Sequence, residues 1–297
     1  MSIRVNPNLY QESLSELALT RQQEDTALQQ VSTGLRVNTP SDDPAAAAAN
    51  VGVQSELANI DQYTSNITSV SAQLSVGNST LSSAVTLLNQ AITYGTQGGN
   101  SSMTQANKNT LATEIQSIQS ELVSLANTTY QGQYLFAGTS NVQPFQTNAD
   151  GTVTYQGNSA TSSAEVAPGT EVQTSLPGSQ VFGNGANSVF SALNQVVTTL
   201  QSGGDLTTAM TNLNTAYQGL TSQQVFYGNS VSNLQSTQSF LSTDKVELST
   251  QQNNLISVNM DEAVTNLEQA ETTRQAALSA AGKIGQNSLL DYLPTTS

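Results

Sequence analysis

Proline is absent from two long parts of this chain, residues 45–143 and 178–293, and this absence constrains the fold most. A proline inside a helix removes a backbone hydrogen bond and clashes with the preceding turn, at a cost of about 3 kcal/mol. Both stretches are therefore open to long helices, whereas the segment between them is not. The seven prolines are Pro7, Pro40, Pro44, Pro144, Pro168, Pro177 and Pro294.

Mostly apolar residues in the first stretch recur at alternating intervals of four and three residues. This pattern is typical of a coiled coil and predicts one helix from Pro44 to about Ile92, roughly 70 Å long. Asp43 is placed to cap that helix, and Pro44 suits its first turn. A helix packed in a globular core is the alternative. The positions are Val53, Leu57, Ile60, Thr64, Ile67, Ser71, Leu74, Asn78, Leu81, Val85, Leu88 and Ile92.

Further helices are predicted on both sides of the central segment. A shorter helix over Leu111–Leu125 follows the glycine turn at 98–100, and a long helix covers Val231–Leu255. Residues Val189–Leu200 and Leu206–Leu220 are also expected to be helical.

Both ends of the chain carry heptad patterns of their own. The N-terminal pattern has Arg21 and Glu24 at two of its positions, and the C-terminal pattern includes Arg274. The C-terminal pattern is one residue out of step with the pattern ending at Leu255, and Asn259 begins a capping-box sequence there. The apolar positions are Leu14, Leu17, Leu28, Val31 and Leu35, and then Met260, Ala263, Leu267, Ala270, Ala277, Ala281 and Ile284.

The helices are thus predicted to be interrupted at residues 39–44 and 256–259. We infer an antiparallel arrangement, in which the N-terminal helix lies beside the C-terminal helix and long helix lies beside long helix. The expected fold is mainly α: an antiparallel bundle of long coiled-coil helices formed by both chain ends.

The central segment, residues 132–185, contains glycine, three prolines and short β-like runs. Candidate strands begin at Gln133, Gly151 and Gly169, each bounded by turn residues. Disorder is the alternative, because the segment is polar. Four aromatic residues favour a small folded insertion with its own core: Phe136, Phe145, Tyr155 and Phe182.

Composition excludes most chemistry. The chain has no Cys and no His, which removes zinc fingers, iron–sulfur clusters, thiol nucleophiles and Ser-His-Asp triads. The paired acids Asp42-Asp43 and Asp261-Glu262 begin predicted helices, where they favour the helix dipole. We therefore expect no enzymatic activity, no cofactor and no metal site.

Charge and hydropathy also limit the partners. Seven basic residues against 21 acidic ones give a net charge of −14, which argues against nucleic-acid binding. No apolar run approaches the ~20 residues of a membrane span, and the N-terminus does not resemble a removable signal peptide. If the protein leaves the cell, we expect a route that does not use such a peptide.

The terminal helices are expected to be marginal on their own. Five apolar anchors in the N-terminal helix contribute about 8–15 kcal/mol at most, less than the cost of ordering about 35 residues. Neighbouring subunits would have to supply the difference. The predicted assembly interface consists of Leu14, Leu17, Leu28, Val31, Leu35, Ala263, Leu267, Ala270, Ala277, Ala281 and Ile284.

Three sequence segments carry a family resemblance. Residues 31–46 (VSTGLRVNTPSDDPAA) resemble the signature that ends the N-terminal helix of bacterial flagellins and their relatives. Residues 125–139 (LANTTYQGQYLFAGT), with Gln143-Pro-Phe, resemble the hook–filament junction group within that family. Residues 257–293 resemble the matching C-terminal end.

This resemblance implies a non-enzymatic axial component of the bacterial flagellum, joining the hook to the filament. It implies an inner tube of terminal helices (1–40 and 258–297), a long-helix domain (41–140 and 187–257) and a β-rich outer domain (141–186). The implied partners are further copies in a ring or helix, a hook-associated protein, flagellin, and an export chaperone on the C-terminal region. The implied location is extracellular, after type III export without a cleaved signal.

Two alternatives stay open. A flagellin is the nearest, although Pro40, Pro44 and the ending Ser288-Leu-Leu-Asp-Tyr-Leu-Pro depart from the usual flagellin pattern. Another type III-secreted helical structural protein is the second alternative. A translocator of that kind should contain a hydrophobic hairpin able to enter lipid, and the sequence contains none.

Overall fold

The computed structural model describes residues 9–290, with side chains over residues 11–283. Its helices are α1 (Leu9–Thr33), α2 (Pro44–Gly98), α3 (Gln105–Ala126), α4 (Gly178–Val181), α5 (Val189–Ser202), α6 (Thr207–Ile256) and α7 (Met260–Leu290). Its strands are β1 (Thr129–Tyr130), β2 (Gln133–Tyr134), β3 (Phe145–Thr147), β4 (Val153–Tyr155), β5 (Ser163–Ala167) and β6 (Thr170–Gln173). The fold is mainly helical, as predicted.

The chain forms two compact units. One contains residues up to Asn59 together with residues from Asp244 onward, and the other contains Ile60–Thr243. The three-part division into 1–40 plus 258–297, 41–140 plus 187–257, and 141–186 stays a prediction.

Helix α2 begins at Pro44, as predicted, and ends at Gly98, six residues later than the apolar pattern suggested. One stripe of the pattern is confirmed, because Val53, Ile60, Ile67, Leu74, Leu81 and Leu88 are all buried. The second stripe falls one residue earlier than predicted in the second unit. The predicted positions Ser71, Asn78, Val85 and Ile92 are only half-buried. The buried positions are the residues just before them, which are small or β-branched: Val70, Gly77, Ala84 and Ala91.

Helix α6 is one continuous helix, whereas the sequence suggested two separate helical segments, over 206–220 and 231–255. Gly219 and Gly228 lie within it without interrupting it, because buried residues recur every seven positions on both sides of them. These residues are Leu213, Leu220, Tyr227, Leu234, Leu241 and Leu248. Tertiary burial outweighs the poor helix propensity of glycine here.

Within the second unit, helices α2 and α6 run antiparallel, because Gly95 lies against Met210 and Gly77 lies against Tyr227. In the first unit, Gln252 Nε2 donates to Asn50 Oδ1 at 3.1 Å. In the second unit, the Tyr227 ring lies against Gly77, and a Cβ atom at Gly77 would be 2.6 Å from Tyr227 Cε1. Burial raises the pKa of the Tyr227 hydroxyl, and a hydrogen bond with the Leu176 backbone opposes that rise.

The central segment is folded, so the disorder alternative is wrong. Each of the three predicted strands is present in shortened form (β2, β4 and β6), and each pairs antiparallel with the strand before it. The partner strands β1, β3 and β5 were not predicted, because each has at most five residues and only β5 contains more apolar than polar residues. The core beneath them contains Phe136, Phe145, Phe182 and Phe190, with neighbouring ring centroids 5.1–5.8 Å apart. The Tyr155 hydroxyl lies within hydrogen-bond distance of the Phe136 and Asn158 carbonyl oxygens, at 3.0 and 2.9 Å, and its single proton is shared between them.

Replacing Gly77 with alanine should destabilise the second unit. The added Cβ would overlap the Tyr227 ring, and overpacking a buried site typically costs about 1–3 kcal/mol. Thermal unfolding monitored by circular dichroism should show a lower midpoint. Gly52→Ala is the matched control, because it lies in the same helix with no heavy atom within 4 Å of the added Cβ. That variant should be neutral or stabilised, and equal behaviour of the two variants would contradict the packing described.

Candidate assembly surface

Helices α1 and α7 of the first unit pack against each other in antiparallel orientation. Glu24 of α1 forms an ion pair with Arg274 of α7, and both side chains are largely shielded from solvent. At the end of the pair, Leu35 and Ser257 form an isolated antiparallel β-bridge. Numbering therefore falls along one helix as it rises along the other, as the predicted arrangement requires.

The α7 half of this interface uses most of the positions that the heptad pattern predicts, but Met260, the first of them, is 45% exposed. Ala263 is buried, and the following positions are half-buried: Leu267, Ala270, Arg274, Ala277 and Ala281. The side chain of Ile284 lies outside the described residues. The alanines leave little bulk between the helices, so backbone can approach backbone.

The α1 half differs from the predicted pattern. Leu17, Glu24 and Val31 are half-buried, but the intervening contacts are made by Thr20 and Ala27, which are both buried. The sequence analysis missed these two because it followed the larger leucines. Their small size could have indicated them, because small residues on α1 suit close packing against the alanine-rich face of α7.

Leu14 and Leu28 instead remain exposed, at 47% and 54%. Leu35 lies beyond the end of α1, which stops at Thr33, so it is not part of that helix. Gly34, with φ of +71°, ends the helix in a left-handed conformation that suits glycine. A role for any of the eleven predicted residues in contacts between subunits stays a prediction.

A second cluster ties the two interhelix connections together; we call it the joint (residues 34–43 and 257–259). Arg36 Nη1 lies 3.0 Å from Asp43 Oδ2, and its Nη2 donates to the Leu255 carbonyl at 2.8 Å. The Arg36 amide donates to the Ile256 carbonyl at 2.7 Å, and the Val258 amide to the Gly34 carbonyl at 3.0 Å. One arginine thereby fastens the start of α2 to the end of α6.

The two aspartates of the joint accept backbone hydrogen bonds, Asp42 within the connection and Asp43 at the start of α2. Asp42 Oδ2 accepts from the Thr39 and Asn38 amides at 2.8 and 2.9 Å, and these bonds hold the pKa of Asp42 below its usual value. Asp43 Oδ1 accepts from the Ala46 amide at 3.0 Å, as the predicted helix cap should. That bond, with Arg36, holds the pKa of Asp43 low. Asn259 Oδ1 likewise accepts from the Asp261 amide at 3.1 Å, which begins α7.

The described part of the chain offers little else for chemistry. Over residues 9–290, no helix carries an apolar run able to cross a membrane. The same residues contain no group of three acidic, histidine or cysteine side chains arranged to hold a metal ion.

Neutralising Glu24 as Glu24→Gln should loosen the α1–α7 pair, because it leaves the shielded charge of Arg274 unpaired. Trypsin cleavage after Arg21 should become faster in the isolated protein. The swapped double variant, Glu24→Arg with Arg274→Glu, should recover most of the protection. Asp25→Asn is the control, because this exposed neighbour has no such partner among the described residues. Equal cleavage rates for the Glu24 and Asp25 variants would contradict the role of the ion pair.

The joint should weaken in acid. The pKa values of Asp42 and Asp43 are lower in the folded protein, so these carboxylates stabilise it above about pH 4. That contribution is lost as the pH falls through their folded pKa values. An NMR titration should show the Asn38 and Thr39 amides shifting with a midpoint below that of an ordinary aspartate. Asp42→Asn should abolish this titration, and its persistence in that variant would rule out Asp42 as the cause.

Comparison with known proteins gives a consistent result. The family model described as bacterial flagellin N-terminal helical region matches residues 5–141, and the one described as bacterial flagellin C-terminal helical region matches residues 203–293. The first match includes α1 and the second includes α7, the two helices of the assembly surface.

Two relatives are named flagellar hook-associated protein 3. The protein from Salmonella typhimurium is 30% identical over 59% of this chain and 55% of its own length. The protein from Escherichia coli is 38% identical over 37% of this chain and 35% of its own length. The chain thus spans about half or less of the curated relatives that it matches.

A solved structure supports the fold. FlgL from Bacillus cereus superposes with a TM-score of 0.58 at 24% identity, covering 68% of this chain and 99% of that protein. With both family models matched in order over most of its length, the chain belongs to the flagellin-like family of bacterial flagellar proteins.

Proposed function

We propose that the protein is a structural component of the flagellar axis that joins the hook to the flagellin filament. The observation that carries this proposal is the terminal helix pair, which packs against itself through small residues and leaves large apolar residues outside. Leu14, Leu19, Leu28 and Leu278 are between 47% and 58% exposed. Exposed leucines on paired helices favour burial against other subunits.

The energetics of the pair support the same conclusion. Among the α1 residues from Gln11 onward, whose side chains are described, the interface contains three apolar residues, Leu17, Ala27 and Val31, and two of them are half-buried. Full burial of a leucine or valine stabilises by about 1.5–3 kcal/mol, whereas ordering one residue costs about 1–2 kcal/mol. Neighbouring copies that cover the outer leucines would stabilise both helices.

The relatives' names suggest which proteins would lie on either side of this one in the flagellum. Two of them are called hook-associated proteins, which supports a hook-associated protein as the partner on one side. We propose flagellin as the partner on the other side, further copies laterally in a ring or helix, and an export chaperone on the C-terminal region before assembly. The proposed location is the extracellular part of the flagellum, reached through type III export without a cleaved signal peptide.

The family is a structural component of the flagellum rather than an enzyme family, so the proposal contains no catalytic step. A role as flagellin itself is the alternative. Position along the axis separates the two: a junction protein lies only where the hook ends, whereas a flagellin lies along the whole filament.

Deleting the gene should leave cells with hooks but without attached filaments, and flagellin should accumulate in the medium. The reason is that filament subunits would have no surface on which to begin assembly. Electron microscopy of the cells and an immunoblot of the supernatant measure the two effects. Complementation with the intact gene is the control, and normal attached filaments in the deletion strain would refute the junction role.

Immunogold labelling of complemented cells completes the test. Label confined to the boundary between hook and filament is the expected result, and label along the whole filament would identify a flagellin instead.

A further inference from the structure

The outer faces of α1 and α7 carry matching patterns that the packing within one chain does not use. On α1, Leu14, Arg21 and Leu28 are exposed at seven-residue intervals. On α7, Val264, Glu271 and Leu278 are exposed at the same intervals. Each face thus presents an apolar residue, a charged residue and a second apolar residue, but the charges are opposite. We call these trios the α1 face and the α7 face.

Both faces are separate from the interface within the chain. At about 100° per residue, each trio lies roughly 80° around its helix from the positions that pack α1 against α7. The exposed fractions of the four apolar side chains range from 41% to 54%. Arg21 and Glu271 have no ion-pair partner among the described residues, whereas Glu24 and Arg274 pair within the chain.

We propose that the α1 face of one copy binds the α7 face of the next copy, with Arg21 paired to Glu271. This pairing rests on the proposed function, and it assigns the contact between subunits to the α1 face and the α7 face. The spacing of each trio is symmetric about its charged residue. The charges can therefore meet, with an apolar pair on each side, whether the helices run parallel or antiparallel.

Charge selects this pairing over the alternatives. Arg21 is the one basic residue of α1, and two copies of the α1 face would bring two arginines together. Two copies of the α7 face would oppose Glu271 to Glu271. Asp25 and Glu268 are exposed and lie one turn from the central charges; they would face each other and repel if the two helices ran antiparallel, so they favour the parallel orientation. In a chain with a net charge of −14, Arg21 is a scarce cation, which makes its exposure on α1 informative.

The test uses charge reversal in the full-length protein, followed by sedimentation velocity. Arg21→Glu and Glu271→Arg should each weaken self-association roughly tenfold, because each variant opposes like charges. The double variant should restore association. A mixture of the two single variants should associate better than either alone, since each supplies the charge that the other lacks. Glu16→Arg, which lies roughly 140° around α1 from Arg21, should leave association unchanged.

Cysteine cross-linking gives a second measurement, free of native thiols because the chain has no cysteine, with each single-cysteine chain oxidised alone as the baseline for dimers of identical chains. A mixture of Leu28→Cys and Leu278→Cys chains, or of Leu28→Cys and Val264→Cys chains, should form a covalent dimer on oxidation. The pair that cross-links reports the orientation of the helices. Glu16→Cys mixed with Leu278→Cys is the control and should not cross-link efficiently.

Failure of the double variant or the mixture to restore association would overturn the proposal, as would absence of any cross-link in the wild-type background. These outcomes differ from failure of the proposed function. Filaments that stay attached in the deletion strain would refute the junction role while leaving the contact between copies intact. Circular dichroism of every variant should match the wild type, which separates loss of contact from loss of folding.

Discussion

Burial of apolar residues at seven-residue intervals along the long helices is the constraint on which the rest of the structure depends. Helix α2 contributes Ile67, Leu74 and Leu81 among others, and α6 contributes Leu220, Leu234 and Leu241. Where α2 places a glycine, α6 can place a large ring, as Tyr227 on Gly77 shows. Large residues on one helix and small residues on the other allow close approach without loss of packed volume.

The sequence predicted the long elements well because the apolar spacing and the prolines act over many residues. The start of α2 at Pro44 and the break before α7 at Asn259 are visible in this way. The missed features depend on tertiary contacts. Strands β1, β3 and β5 are held by their hairpin partners and the phenylalanine core beneath them, and single-strand propensity does not reveal such support.

The candidate surface was predictable in part, for a similar reason. The positions of α7 that face α1 follow directly from the alanine pattern. On α1, the leucines drew the prediction to Leu14 and Leu28, whereas the structure packs Thr20 and Ala27 inward. Hydrophobic size identifies residues that need burial, but it does not say whether the same chain or another one buries them.

The ion pair between Glu24 and Arg274 has a mechanical consequence. Helices that pack through alanines present a smooth surface, and such a surface offers little resistance to sliding along the axis. A slip of one heptad would place Arg274 level with Leu17 or Val31 and strand both charges in a largely shielded environment. The ion pair therefore opposes sliding and fixes the lengthwise alignment of the two helices.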